Sequence, residues 1–552
     1  MIRLHSADMF KVSWITIICG ITAFLLAATM INHGLVDSWM PAGPGLTLDE
    51  SFNIDQGVYL VDAISQHGPL LFTPSVVKEV FGNHRYLPDH PPLGRVLLGT
   101  AHQLTSWLIP GSEDSSYNVP AARLGSCFAF ALTVFLLSDF SLRRYGPAAG
   151  IVTALMLIGM PNVIGHARIA ALESATNLAW VAAMIPLLSW WTGTKAPSNR
   201  QAIISGVLWG LLLLTKVQGI LLPPIVLLWA AWRFRDQAVR PLTCWAIVGC
   251  VVFFAGWPWL WLNPVDNVMS YLGRTTDRTT LYCWYFGQRF ADKAVPWHYP
   301  FVMTLISLPL WTVIGLVMRL CRNQPDAAEK LILLSVAVPL LVFAVPDTPV
   351  YDGTRLFLIV MPPLALLAAR GFAECLHGSR ADERFVAAKL PQSAARRWLK
   401  VGVWSVLLIA SGVRIMTPYC ISEYGLLAGK NRGAAWLGME ASYWSDALNG
   451  DFWSQIPENS TVMVAPVSHQ FQLGDIESLV PIVRQRNIRL LPYEYDPTKQ
   501  KGLLLLIHRL ADLRESLRTV PDGATVVAQV GVDGTILARV IDTTDAKWTE
   551  TP

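Results

Sequence analysis

The sequence predicts an all-α polytopic membrane protein that ends in a small α/β domain, and three observations lead there. Charged residues make up 15% of the 552 and hydrophobic residues 53%, where a soluble domain carries roughly 25% charge. Mean hydropathy is +0.41, and the apolar residues gather into blocks near the ~20 residues a helix needs to cross a bilayer. After about residue 418 these blocks give way to short alternating runs.

The blocks lie near 12–31, 119–140, 147–163, 168–191, 201–216, 218–232, 241–262, 300–320, 330–346, 356–374 and 400–417. The first follows Arg3 and Lys11 and is too long for a signal-peptide core, so it reads as a transmembrane helix. A further apolar segment, 92–109, carries Arg95, His102, Gln103 and Thr105 and reads as lying along the interface. Positive charge supports that choice. Arg143 and Arg144, Lys195 and Arg200, Arg233 to Arg240, Arg319 to Lys330, and Arg380 to Lys400 fall on one side, with the N-terminus, only if 92–109 does not cross. About eleven spans follow. Residues 32–118, 263–299 and 418–552 then face outward from the inner (cytoplasmic) membrane.

Residues 1–417 are expected to form the membrane domain and 418–552 the extracytoplasmic α/β domain. In the latter, Thr461–Val467, Ile488–Leu491, Leu503–His508, Thr525–Val532 and Ile536–Ile541 read as strands, with helix-like stretches at 477–486 and 510–518. Val532-Asp533-Gly534-Thr535 reads as a hairpin turn. The eight cysteines are scattered without metal spacing and read as inert thiols. The net charge of +4 gives no sign of a nucleic-acid partner.

Charge in awkward places is the functional signal. On this topology Arg168 and Lys216 sit at outer helix ends, Arg355 in a short outer loop, and Glu173 inside a span. A charge at a helix centre costs about 2.5–3.5 kcal/mol on insertion scales, so such residues usually mark sites. Snorkelling explains one basic residue at an interface. Several cations on one face suit a membrane-embedded phosphate better. In the first outer loop, Asp49-Glu50 follows the Pro/Gly run 41–45 and precedes an amphipathic stretch. Asp49 is either a helix cap or a surface carboxylate acting as general base. Further on, Asp89-His90-Pro91-Pro92-Leu93-Gly94-Arg95 gives a stiff entry, with proline in the first turn of the next helix.

The DE pair after the first span, HPPLG with a basic residue, Arg123 in PAARLGS, ARIAALES (167–174), LLLLTKVQG (211–219) and YDGTRLFLIVMPPLALLAARG (351–371) occur in that order. Together they resemble the protein O-mannosyltransferase superfamily, which includes the aminoarabinose transferases acting on lipid A. The resemblance spans about 40–430. It departs from the family pattern at Glu173, commonly Asp, and at Arg95, usually Lys in mannosyltransferases. It implies a GT-C fold, a polyprenyl-phosphate-linked sugar as donor and inversion at the anomeric carbon. The acceptor is a lipid, glycan or protein hydroxyl.

On that resemblance Asp49 is the expected base, with Glu50 positioning it or the sugar. Arg123, Arg95, Lys216 and Arg355 are candidates for phosphate and sugar, with His90, Asp89, Arg168 and Glu173 around them. His90 lacks a partner at ligand spacing, so no cofactor is expected; a divalent metal is compatible but not indicated. The aromatic and basic loop 263–299 has two readings, an interfacial belt or a lid in which Arg274, Arg278, Tyr285 and Arg289 cover the donor. The rival class is a transporter or flippase of a lipid-linked glycan. Charges gathered at one face rather than at mid-membrane, and the lack of a two-halves repeat, weigh against it.

Overall fold

A computed structural model describes residues 13–32, 43–109, 117–276, 279–322, 324–377, 402, 418–467, 471–495 and 501–548. The expected span 400–417 and the basic segment 380–400 therefore fall almost entirely outside the described residues.

The helical part begins with α1 (Trp14–Ala28). Then come α2 (Glu50–His67), α3 (Pro74–Phe81) and α4 (Pro92–Thr105). At 14 residues α4 is short of a bilayer crossing. It packs on α2 and on α5 (Val119–Tyr145). Proline opens α4 as expected, with Pro91 capping and Pro92 in the first turn.

Next are α6 (Pro147–Ile158), α7 (Pro161–Ala167), α8 (Leu172–Trp190) and α9 (Asn199–Leu213). They are followed by α10 (Leu222–Phe234), α11 (Val239–Gly256), α12 (Trp259–Leu262) and α13 (Pro264–Thr276). The hairpin β1 (Tyr282–Tyr285) and β2 (Gln288–Ala291) leads to α14 (Tyr299–Ser307) and α15 (Leu310–Leu320). The bundle ends with α16 (Ala327–Phe343) and α17 (Met361–His377).

Three described helical stretches are long and apolar enough to cross a membrane, and five if each bent pair is taken as one span. The expected spans 147–163 and 300–320 are such pairs. The first bends by 72° between α6 and α7, the second by 110° between α14 and α15. Pro161 and Pro309 stand at the breaks, where a helix loses a backbone donor. The long stretch Val217–Gly256 is two helices, because Arg235 turns the chain at φ 52°.

Apolar side chains face outward as well as into the core, and some polar ones lie inside. Leu228, Ile247 and Val251 are more than half exposed on α10 and α11, whereas Ser126, Thr133 and Ser138 of α5 are buried. Ser138 donates to the Gly150 carbonyl of α6, a polar tie between helices. Small residues bring α9 and α11 into close contact: a Cβ at Gly206 would stand 2.6 Å from the Trp245 carbonyl. Trp209 and Trp245 stack at 4.3 Å in the same crossing.

The C-terminal domain is a five-stranded mixed sheet of order β4-β3-β5-β7-β6. Its strands are β3 (Thr461–Ala465), β4 (Arg489–Pro492), β5 (Leu503–Ile507), β6 (Thr525–Val532) and β7 (Thr535–Asp542). All five alternating runs read from the sequence form strands. Strand β3 pairs in parallel with β4 and β5, and β7 runs antiparallel to β5 and β6. Asp533 and Gly534 both take positive φ, as a two-residue hairpin demands. The helical stretch expected at 510–518 reduces to a short 3₁₀ turn, Glu515–Leu517. The two cores meet later than residue 418. Cys420, Tyr424, Tyr443 and Trp444 belong to the core of the bundle, and the sheet core starts at Leu448.

Candidate active site

The loop before α2 is held from three sides. Glu50, the first residue of α2, is fully buried and grips Arg123, whose Nε and Nη2 each donate to it at 2.7 Å. Glu50 also accepts from the backbone N–H of Thr47 (2.9 Å) and of Ala170 (2.6 Å). The remaining donors of Arg123 go to the carbonyls of Ile31, Pro44 and Gly45. All five guanidinium N–H groups are thereby engaged. Gly45 in turn donates to the Asp446 carbonyl at 2.8 Å. A Cβ there would lie 2.4 Å from the Leu448 carbonyl, so only glycine allows that approach.

This bracket aims Asp49. The residue occupies the N-cap position of α2, yet its carboxylate makes no capping hydrogen bond. It accepts instead from Arg355 Nη2. The same guanidinium donates through Nε to Glu173 (2.8 Å) and through Nη1 to Asp352 (3.1 Å). Lys216 Nζ reaches the same Glu173 oxygen at 2.6 Å. The guanidinium lies 3.9 Å from the centroid of Trp444, within cation–π range.

Asp352 is buried and sits between two cations, with Arg509 Nη2 at 3.1 Å from its other oxygen. Desolvation opposes its charge; Arg509 first and Arg355 next overcome that and hold its carboxyl below the usual range.

A cavity of about 530 Å³ opens beside this cluster. Asp49, Asp89, His90, Lys216, Arg274 and Arg355 line it. Val217, Ile220, Leu221, Val342, Phe343 and Leu356 supply apolar lining. Desolvation pushes His90 down to about 4, so its ring is neutral near pH 7 and shapes the wall rather than holding an anion by charge. Asp89 clamps Arg95 through two bonds of 2.7 and 3.0 Å. Arg95 also donates to the Leu87 carbonyl and is buried, which sets it behind the cavity rather than in it.

The structure thus brings Asp49, Glu173, Lys216 and Arg355 together, with Asp89, His90 and Arg274 in the surrounding wall. Other candidates take different places. Glu50, Arg123 and Arg95 are brackets whose hydrogen bonds are used internally, and none of the three lines the cavity. Arg168 is fully buried at the end of α7, with Nη1 3.4 Å from Cys420 Sγ. Tyr285 is buried and bonds His298 at 2.7 Å. Arg289 stacks on Tyr282 and donates to the Ala511 carbonyl, pinning the β1–β2 hairpin to the C-terminal domain. Of the four lid candidates Arg274 alone faces the cavity, and Arg278 lies outside the described residues.

Three residues around Arg355 escaped the sequence reading. Asp352 stands one turn from Arg355 inside the quoted YDGTR segment, so its spacing was a usable signal. Trp444 and Arg509 had none, because only long-range folding brings them there. Among the described residues no group of three or more His, Cys, Asp and Glu side chains is arranged to hold a metal ion.

Residues 89–261 match the profile of the dolichyl-phosphate-mannose-protein mannosyltransferase family. The match takes in the HPPLGR, PAARLGS, ARIAALES and LLLLTKVQG segments, so the resemblance to that superfamily holds there. No curated protein sequence matches the chain. Among solved structures, ArnT from Cupriavidus metallidurans bound to undecaprenyl phosphate aligns with a TM-score of 0.48 at 15% identity, over 95% of this chain and 97% of that one. The apo form of the same protein gives 0.47 at 14% identity, over the same shares. The archaeal oligosaccharyltransferase AglB from Archaeoglobus fulgidus, in complex with an inhibitory peptide and a dolichol-phosphate, gives 0.45 at 11% identity, over 90% and 70%.

Proposed function

We propose, from the mannosyltransferase-family segment at 89–261, that the chain is a GT-C membrane glycosyltransferase moving a sugar from a polyprenyl-phosphate donor to an acceptor hydroxyl. The observation that carries the reading is a cavity lined both by three basic side chains, Lys216, Arg274 and Arg355, and by apolar ones such as Ile220, Val342 and Phe343. A lipid-linked sugar phosphate matches both kinds of lining. Its isoprenoid chain suits Ile220, Val342 and Phe343, and its phosphate suits Lys216, Arg355 and Arg274.

The chemistry follows from charge. The acceptor oxygen attacks the anomeric carbon as its proton passes to Asp49. The bond from that carbon to the phosphate oxygen breaks, and its electron pair leaves with the polyprenyl phosphate. One direct displacement inverts the anomeric centre. Negative charge grows on the leaving phosphate, so fixed cations lower the barrier without a strong acid. Asp49 is ion-paired to Arg355. An entering phosphate competes for the same guanidinium, so donor binding releases the carboxylate to act as base. Glu173 stays behind, holding Lys216 and Arg355 in place. The charged side chains supply the phosphate's countercharge, so we read the reaction as needing no cofactor.

The orientation inferred from basic loops puts the site and the C-terminal domain on the outer face of the inner membrane. The sugar and the acceptor hydroxyl, on lipid, glycan or protein, are open in this reading.

The test is reconstitution with a panel of polyprenyl-phosphate sugars, following release of free polyprenyl phosphate. The expected result is release with at least one donor, strongly slowed by Asp49→Asn and indifferent to a chelator. Donor carried across the bilayer with no release would establish the flippase class instead. A rate lost to EDTA and restored by Mg²⁺ would place a metal at the phosphate.

A further inference from the structure

We propose that Arg509 and Trp444, both contributed by the chain after the bundle, are positioning residues for Arg355. The C-terminal part then sets the geometry of the cavity's cationic lining. The proposal rests on reading Arg355 as a phosphate ligand.

Arg355 is surrounded by three carboxylates, and its orientation depends on how each is held. Glu173 is fixed by Lys216, and Asp49 by the Glu50–Arg123 bracket beneath it. Asp352 is fixed from the C-terminal side. Trp444 Nε1 donates to its Oδ2 at 2.8 Å, and Arg509 lies 3.1 Å from its Oδ1.

Arg509 is itself clamped. It donates to the Tyr443 carbonyl at 2.6 Å and pairs with Asp512 at 2.7 Å. The next two backbone N–H groups, of Leu510 and Ala511, donate to buried Glu440 at 2.6 and 3.0 Å. Trp444 also supplies the flat face on which the Arg355 guanidinium rests.

Arg509 offsets the negative charge of Asp352, so the carboxylate cancels less of the positive potential around Arg355. Without Arg509, the charge of Asp352 falls on Arg355 uncompensated and its carboxylate loses one of its two fixed partners. The positive potential offered to a phosphate falls, although the cavity walls and their apolar contacts stay as they are. The consequence is selective: phosphate recognition weakens and lipid-chain binding does not.

The experiment uses the full-length chain in nanodiscs and two probes, a long-chain polyprenyl phosphate and the matching neutral polyprenol. Wild type is expected to prefer the phosphate lipid, and Arg355→Gln to lose the preference. Arg509→Gln should lower phosphate-lipid affinity by about tenfold with polyprenol affinity unchanged, and Arg509→Lys should recover part of it. Trp444→Phe keeps a ring over Arg355 but deletes the bond to Asp352. It should give a smaller loss in the same direction, and it tests the proposal if Arg509→Gln fails to fold. A preference unchanged in Arg509→Gln or, failing that, in Trp444→Phe, while Arg355→Gln abolishes it, overturns the positioning role. Equal loss for both lipids also overturns it, since that marks a general structural defect. A wild type without the preference, or Arg355→Gln that retains it, overturns the reading of Arg355 itself.

Discussion

Two ion networks stand at opposite ends of the bundle, and they differ in what lies beside them. At the end away from the cavity, Arg319 holds both oxygens of Glu329, and Arg370 reaches Glu329 (2.8 Å), Asp326 (3.0 Å) and Glu374 (3.0 Å). Arg144 joins through Asp326 at 3.2 Å. These residues tie the ends of α5, α15 and α17 to the start of α16, and none of them lines the cavity. At the other end, Asp49, Glu173 and Asp352 converge on Arg355, and Lys216, Asp49 and Arg355 face the void. Both networks use the same side chains and similar distances. The Arg319–Glu329 pair at the heart of the first network is buried and lines no part of the cavity, so it serves to hold helices together, whereas a network that lines the cavity can exchange a partner for a ligand.

The sharpest way to separate them is to remove one charge from each. Asp49→Asn should lower transfer by about 10²–10⁴-fold, the usual share of a general base, with the melting temperature nearly unchanged. Arg319→Gln should do the reverse. It leaves Glu329 short of its closest partner inside the bundle, so about 3–5 kcal/mol of stability is lost while the surviving folded protein keeps its turnover. Full activity in Asp49→Asn, or a turnover collapse in folded Arg319→Gln, would break the contrast.

A paired replacement sharpens it further. Arg319→Met with Glu329→Leu exchanges an enclosed ion pair for apolar packing, which is often neutral or stabilising by about 1–4 kcal/mol. Lys216→Met with Glu173→Leu should leave folding intact by circular dichroism yet abolish binding of a polyprenyl phosphate. If the second pair still bound the lipid phosphate, the cavity-end network would be structural after all.

The smallest effect is in pH. Burial pushes Glu440 and Asp446, in the segment that carries Trp444, up to about 7 each. A carboxyl whose folded value lies above its unfolded one binds more protons when folded, so stability falls as pH rises between about 4 and 7 and is level above that. Melting should therefore drop by a few degrees between pH 5 and pH 7.5, and Glu440→Gln should flatten part of the slope. A melting curve that rises over this range would show that these groups do not govern the docking of the C-terminal part.

Legibility differed between the fold and the site. The five strands and the hairpin turn at Asp533-Gly534 were readable because period-two alternation and turn residues are local signals. Most helices were readable for the same reason. The bends at Pro161 and Pro309 were written in the chain but were missed inside apolar blocks, since hydropathy averages over a break. At the site, Glu173, Lys216 and Arg355 stood out as charges in apolar surroundings, and Asp49 through the DE pair of the first outer loop. Neither that logic nor the motif resemblance could tell a charge facing a void from one already neutralised, so Arg123 and Arg95 ranked ahead of Lys216 as phosphate candidates.

Composition and the spacing of apolar blocks by themselves determined a helical membrane protein with a β-containing tail, because burial in lipid demands long apolar helices whatever their arrangement. The order of the basic and acidic motifs marked where chemistry would sit. Only the tertiary structure decided which cations are bracketed and which face the cavity. It alone also brought Trp444 and Arg509 to Asp352 and Arg355. An ion pair depends on partners far away in the chain, and no local pattern records which partner a charge will find.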